Sequence, residues 1–592
     1  MAGQGIEVAL PPVRPNPRSI IIGLDFGTTY SGAVWAHSDR PDELHEIDTW
    51  PQSRIDDRLV SSLKVPTQIR YLANDEFEWG SQIPRDVDPT EVNKLFKLAL
   101  EPRQFRGSTD AMGEIILPHN VDQIITDFMG GMFEYVLRKI YERLGREMAE
   151  DLPLHIVITV PIIWSDLSKQ RTLQAFRRIP NLPESATTSL LSEPEAAAIS
   201  ALRDFEDVSL EAEDTFIIVD AGGGTVDLVT YTVASPLPLL KVNEATEATG
   251  GFCGSALVDS RFQRLLTTKL QNEPRWGPGV LHEALDRFEK TAKRKFSLAS
   301  LAANETFHIP VPGLARNVSA GITMNSRFSL TAAELHMCYE VDVLKIIQLV
   351  KGQITMCHKP VRYIVLVGGF GASTYLRERL ENDIGEDKSI QAPIAILQPQ
   401  NSWLAVARGA AMSWITQSKS ENYNIPVVVS RTARKHYGYE CGVRYNALVH
   451  ASMTTPKYWD PLYGDWCIEA MVWFIKRGDN VSEDFPFSKT YSYHWPVESR
   501  WSPSRKYPLN IYADEISQAA PIERTSNVAL LCTLTADLSA IPDDRVDQQL
   551  GADGRMHYYV EFSIEAVYHS ASTTYTLIHK GQRYDSISAE YV

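Results

Sequence analysis

Leu24-Asp25-Phe26-Gly27-Thr28-Thr29-Tyr30-Ser31-Gly32-Ala33-Val34 closes a run of apolar, β-branched residues that begins at Ser19 (SIIIGLD). The run predicts a buried strand over 19–25, a Gly-Thr-Thr turn, and a returning strand over 32–37. Asp25 then stands at a strand end, beside a turn whose glycine lets backbone approach an anion and whose N–H and hydroxyl groups can bind phosphate oxygens. A carboxylate there can hold hydrated Mg²⁺. The device recurs at Thr215–Asp220 (TFIIVD), followed by Ala221-Gly222-Gly223-Gly224-Thr225-Val226-Asp227. One copy is an ordinary hairpin turn. Two copies point to a duplicated fold whose halves set two carboxylates and two glycine loops around one polyphosphate.

A third glycine turn, Val367-Gly368-Gly369-Phe370-Gly371-Ala372-Ser373, follows the apolar strand Tyr363–Val367 and precedes a helical pattern, so a base and sugar can lie on its backbone. No G-x-x-x-x-G-K-[ST] loop occurs, and G-x-G-x-x-G with its ribose-binding acid is lacking, so neither a P-loop nor a Rossmann site is expected. His155–Val160 (HIVITV) reads as another strand, running into Pro161. Helical spacing marks Val121–Leu144, Leu190–Leu202, Leu281–Phe296 and Thr331–Gln348, the last opening on a Thr331–Glu334 capping box. Alternating strands and helices to about residue 420 predict an α/β architecture. From Tyr423 the texture turns to Tyr, Trp, Val and Pro, and Ile468–Ile475, Asn527–Ala536 and His557–Ala566 read as strands of a separate β-rich domain. Ile425–Val429 (IPVVV) is read as the linker between the two.

The chain has 592 residues, too many for one core. Its 58 Lys+Arg against 74 Asp+Glu give a net charge of −16, which disfavours nucleic-acid partners. Six scattered cysteines without a C-x-x-C pair suggest free thiols in a reducing compartment. No apolar run reaches the roughly 20 residues of a membrane span, and prolines interrupt residues 1–18, so a disordered tail and a cytoplasmic location are expected.

Five ordered blocks carry a family resemblance: LDFGTTYSGAV, ITVPIIWSD with LLSEPEAAAISAL, IIVDAGGGTVDL, YIVLVGGFGASTYLRERL, and LQPQNSWLAVARGAAMSWI. Over about Ile21–Ile415 the chain resembles the heat shock protein 70 branch of the actin-like ATPases. Its Gly-Phe-Gly turn and Ser430–Gly438 (SRTARKHYG) look most like the divergent twelfth subfamily. The resemblance implies a duplicated, ribonuclease H-like two-lobe fold with lobes over 19–213 and 214–420. A β-sandwich-like domain over 421–592 follows, in which no helical lid is expected.

It implies ATP or ADP with Mg²⁺ as cofactors. Asp25 and Asp220 would flank the metal, and Gly27, Thr28, Thr29, Tyr30, Gly222, Gly223, Gly224 and Thr225 would take the phosphates. Glu193 would order the attacking water, and Lys97, with Lys94 as rival, would stabilise charge on the γ-phosphoryl group, so that Lys97, Glu193, Asp220 and Thr225 form the catalytic set. Glu289 and Lys293, or in another register Lys290 and Arg294, would line the adenine site with Gly368, Gly369 and Phe370. Phe370 either stacks on adenine or fills core. Pro161 matches a proline that relays nucleotide state, and its usual arginine partner is here Lys169, which lacks the planar fork.

The function implied is an ATP-hydrolysing, chaperone-like switch with protein or peptide clients and co-chaperones. A nucleotide-binding scaffold without significant hydrolysis is the alternative. A sugar-kinase relative fits poorly, because a β domain follows the cleft.

Overall fold

Strand β1 (Ile20–Asp25) is buried along its whole length, since Ile20, Ile22 and Leu24 point into one core and Ile21 into another. Covering both faces is what makes its sequence a continuous apolar run instead of an alternation. The computed structural model of the chain describes residues 18–53, 61–73, 76–84, 87–101, 117–204, 210–390, 392–419, 425–460, 463–482, 486–496, 506–538, 541, 546–584 and 587–591. The expected tail over 1–18 lies, but for Arg18, outside them.

The first sheet joins β1 to β2 (Tyr30–His37), β3 (Arg40–Glu46), β4 (Leu154–Val160) and β5 (Thr187–Ser192), in the order β3-β2-β1-β4-β5. The hairpin pairs β1/β2 and β2/β3 are antiparallel, whereas β1/β4 and β4/β5 are parallel. The second sheet repeats this with β6 (Thr215–Ala221), β7 (Val226–Ser235), β8 (Lys241–Glu244), β9 (Val361–Val367) and β10 (Ala395–Leu397), in the order β10-β9-β6-β7-β8 and with the same directions. Equal order and equal polarity are what a duplicated unit requires.

Helices α1 (Val121–Leu144) and α2 (Asp166–Arg177) cover the outer face of the first sheet. Helices α4 (Ser255–Leu270), α5 (Pro278–Lys290) and α6 (Ala332–Met356) cover that of the second. Between the sheets lie α3 (Glu193–Arg203) and α7 (Ala405–Lys419). Ala196, Ala197, Ala198 and Ala201 of α3 share a core with Val157, Ile218, Val365 and Ala410, so small side chains let both sheets close on one helix pair. The capping box opens α6 as expected: Glu334 accepts from the Thr331 N–H at 2.9 Å and donates its own N–H to the Thr331 hydroxyl at 3.2 Å.

Three expectations change. Leu190–Ser192 ends β5, and the helix begins only at Glu193, because Pro194 fits its first turn. The pattern over 281–296 is two helices, broken at Thr291. The IPVVV stretch feeds β11 (Val427–Thr432), which adds to the second sheet parallel to β8. Beyond it, strands over Tyr458–Asp460, Asp465–Ile475, His436–Arg444, Lys506–Asp514, Ala529–Asp537 and Ile587–Tyr591 form one sheet, in that order. Phe487–Pro496, Met556–Tyr568, Thr573–His579 and Gln582–Tyr584 form another. Leu509, Ile511 and Leu534 of the first share a core with Val560, Phe562 and Leu577 of the second.

Candidate functional site

The two glycine turns meet. A Cβ on Gly223 would fall 2.1 Å from the Thr29 hydroxyl oxygen, and one on Gly224 2.5 Å from that of Thr28. Only glycine lets the second loop lie this close to the threonines of the first. Carbonyls of Gly222, Gly223 and Gly224 accept N–H bonds from Ser255, Ala256 and Gly254 at the start of α4. That fixes the second loop's carbonyls away from the cleft. The N–H groups of Thr28, Thr29, Gly223 and Gly224 donate to no described residue, and unpaired backbone N–H groups can bind anions.

Register sets the carboxylates. Asp25 aligns with Gly32 on β2, and Asp220 with Asp227 on β7. Asp25, Asp220, Asp227 and Glu193 are all buried, and they lie close enough that the neighbouring carboxylates raise Asp220 and Glu193. Burial pushes Asp220 well above the ordinary carboxylate range, with Glu193, Asp227 and Asp25 adding to it. Burial also raises Glu193, to about 7, against the pull of Lys97. Asp227 accepts the Ile162 N–H at 2.9 Å through Oδ1, and its Oδ2 is buried without a partner.

Lys97, 1% exposed in the short helix Phe96–Leu100, donates to Glu193 Oε1 at 2.6 Å. Its ammonium lies 5.4 Å from the Phe26 ring centre and 5.2 Å from that of Trp164. Lys94, its rival, is exposed to the cleft, and desolvation by the surrounding walls lowers its pKa against Glu289, Asp259 and Asp286.

Four carboxyl groups stand against two lysines, Lys64 and Lys97, so a bound cation would offset the burial and crowding that raise Asp220 and Glu193. Among the described residues no three His, Cys, Asp or Glu side chains could cage a metal directly. Mg²⁺ is commonly held by one or two carboxylates plus phosphate oxygens and water. The orphaned Asp227 Oδ2 has the chemistry for that shell.

At the third glycine turn, Gly368 (φ +82°) turns out of β9, and a Cβ there would meet Asp220 Oδ1 at 2.5 Å. Gly369 is exposed to the cleft, while Phe370 is buried against Tyr339 in the second lobe's core. Of the two roles weighed for Phe370, the placement is that of core filling. The helix breaks at Thr291, between Glu289 and Lys293: Lys293 pairs with Asp259 at 2.7 Å and its charge still acts on Glu289, which lies near Tyr30. Lys290 pairs with Asp286 on its own helix, 49% exposed, and faces away. Lys169 is buried and donates to the Ile162 carbonyl at 3.3 Å, next to Pro161.

Two participants escaped the sequence reading. Lys64 donates to Asp25 Oδ2 at 2.5 Å. It reaches Asp25 because Lys64 aligns with Gly32, which has no side chain to separate them. Asp227 could have been found, since it pairs across the hairpin from Asp220. The strand-rich C-terminal part also reaches this region. Ser570 Oγ accepts the Ser192 N–H at 3.1 Å, and Arg431 Nε donates to Glu195 Oε2 at 2.9 Å. Both contacts flank Glu193.

No family model matches the chain. It is 22% identical to heat shock 70 kDa protein 12A of Homo sapiens, covering 84% of this chain and 82% of that one. To human heat shock 70 kDa protein 12B it is 22% identical over 69% and 71%. To the chaperone protein HscA homolog of Neisseria meningitidis serogroup B it is 27% identical over 67% and 58%. Over most of its length, then, the chain is similar to divergent and HscA-type members of the heat shock protein 70 family.

Proposed function

We propose that the chain binds ATP with Mg²⁺ between its two sheets, hydrolyses it, and uses the nucleotide state to govern what its strand-rich C-terminal part holds. One observation carries this reading: Thr28 and Thr29 of the first loop pack directly on Gly224 and Gly223 of the second, with Asp25 and Asp220 at the matching strand ends. Likeness to chaperones of the family supports a nucleotide-binding, chaperone-like protein.

In this reading Gly27, Thr28, Thr29, Tyr30 and Gly222 to Thr225 bind the phosphates by N–H and hydroxyl groups. Asp25 and Asp220, with Asp227 beside them, hold the metal's water shell. Mg²⁺, when bound, neutralises phosphate charge. Glu193 orients the attacking water, and Lys97 places a positive charge where the γ-phosphoryl group becomes more negative. Gly368, Gly369, Glu289 and Lys293 border the nucleoside. The lobes divide as 19–213 and 214–420. Residues 421–592 form a β-sandwich-like partner domain, taking protein or peptide clients, with co-chaperones setting the cycle in the cytoplasm.

Single-turnover phosphate release by the full chain, with and without Asp220→Asn, tests hydrolysis. The expected result is release by the wild type and loss of at least about a hundredfold in the variant. A second reading, a nucleotide-binding scaffold, is favoured by one observation. Asp25 and Glu193 each already hold a lysine, Lys64 and Lys97, at hydrogen-bond distance. Tight ATP binding without phosphate release in the wild type selects that reading.

A further inference from the structure

Trp403 belongs to the segment between β10 and α7, which runs along the third glycine turn. The Gly368 N–H donates to the Ser402 carbonyl at 3.1 Å, and Gln398 Nε2 donates to the Gly371 carbonyl at 3.2 Å. These bonds lay the segment on the loop and aim the half-buried indole of Trp403 at exposed Gly369. A Cβ on Gly369 would lie 3.6 Å from the indole nitrogen, which is ordinary contact. On its other side Trp403 meets the Tyr30 ring, with centres 6.1 Å apart and planes at 68°. Tyr30 in turn lies near Glu289 of the other lobe, whose charge acts on its hydroxyl. The indole therefore stands in a corner made by the first phosphate loop and the third glycine turn. Its N–H has no acceptor among the described residues.

We infer that Trp403 is a nucleoside-binding residue: its ring and N–H form one wall of the subsite that receives the base and ribose of a purine nucleotide. An indole cannot balance phosphate charge, but it offers a flat π face and one donor, which a base and a ribose oxygen accept. The N–H groups of Thr28, Thr29, Gly223 and Gly224 serve the other end of the ligand. This rests on the reading that the cleft binds ATP.

The test uses the full chain and compares ATP with inorganic tripolyphosphate, which keeps the phosphates and removes the nucleoside. Trp403→Leu should weaken ATP binding about tenfold, the scale of losing one aromatic stacking partner, and leave tripolyphosphate binding unchanged. Trp403→Phe should retain ATP affinity within about threefold, since it keeps a π face. ATP is also expected to change the intrinsic fluorescence of the wild type, and the same variant should reduce that change at least about twofold; a change as large as the wild type's overturns the inference. That reading stands even if the leucine variant does not fold. Equal weakening of ATP and tripolyphosphate, or no weakening of either, overturns the inference and leaves ATP binding intact. A wild type that binds tripolyphosphate but not ATP, or neither, refutes the proposed function itself and this inference with it.

Discussion

Lys97→Met separates the chemistry of the site from its stability. In the wild type, Glu193 is pushed up to about 7 by burial. Keeping that carboxyl in place at pH 7 already costs about 3 kcal/mol relative to an ordinary glutamate. Removing Lys97 takes away the attraction that lowers Glu193, so its pKa climbs further. At pH 7 the group then stays protonated. The added cost is bounded by the half that was ionised, about 0.4 kcal/mol. Methionine keeps the stem between Phe26 and Trp164 and forfeits cation–π attraction worth about 0.5–2 kcal/mol. The variant should therefore lose only about 1–2 kcal/mol at pH 7, not the 3–5 kcal/mol typical of orphaning a fixed buried charge. Because a raised carboxylate loses its stabilising contribution as pH rises through the folded value, the gap to wild type should widen above pH 7. The slope is at most about 1.4 kcal/mol per unit. Phosphate release in a single turnover should fall at least about a hundredfold, with ATP affinity within about threefold. Denaturant unfolding at pH 6, 7 and 8 beside rapid-quench assays measures both. Turnover near wild type would remove Lys97 from the chemistry, and a loss above about 3 kcal/mol that ignores pH would refute the account of Glu193.

Gly223→Ala should drive a methyl into Thr29 and cut ATP affinity by at least about thirtyfold by calorimetry, at a stability cost of about 1–3 kcal/mol. Adding Thr29→Gly should relieve that stability cost, and no relief would mean the loops do not touch. Lys64→Met removes the cation on Asp25 and should lower ATP affinity about tenfold at fixed Mg²⁺, with undiminished binding counting against a role for Lys64. Burial lowers Lys169 to about 8, so its contribution is complete above its unfolded value near 10.5 and is lost as pH falls through 8. Lys169→Met should thus be more stable than wild type at pH 7 by about 1–3 kcal/mol, with the gap closing toward pH 10. A gap that does not change with pH would show that the lysine is not desolvated.

What could be read from the sequence was what is local in it. Each phosphate hairpin is a strand, an acid, a glycine turn and a threonine within about a dozen residues, and the capping box at Thr331 spans four. The duplicated sheet order then follows from having two such units. What could not be read depends on partners far along the chain. Lys64 means nothing until its strand pairs with β2 and Gly32 opens the way to Asp25. The alanines after Pro194 extended a helical reading back into Leu190–Ser192, but parallel pairing with β4 holds those residues extended. The IPVVV stretch gained its strand from residues 241–244, nearly two hundred positions earlier. Phe370 read equally well as stacking partner or core, and only the position of Tyr339 decides between them.

Glu193 is where the cleft proposed to hold the nucleotide meets the C-terminal strands. It is the first residue of α3, and the residues on either side of it are fastened to the strand-rich part. Ser192 is held by Ser570 in the turn between Met556–Tyr568 and Thr573–His579, and Glu195 by Arg431 at the end of β11. Ala571, next to Ser570, is buried in the first lobe's core, so that turn is packed in place as well as hydrogen-bonded. A helix's first turn is stiff, and close-packed interiors pass displacement on instead of absorbing it. Moving Ser570 or Arg431 must shift Glu193 or break those bonds, and reorienting Glu193 around a bound triphosphate must load the same bonds from the other side. Coupling of that kind is reciprocal in free energy. In the proposed reading, a partner that the strands prefer in one arrangement changes nucleotide affinity by the same factor as the nucleotide changes its own.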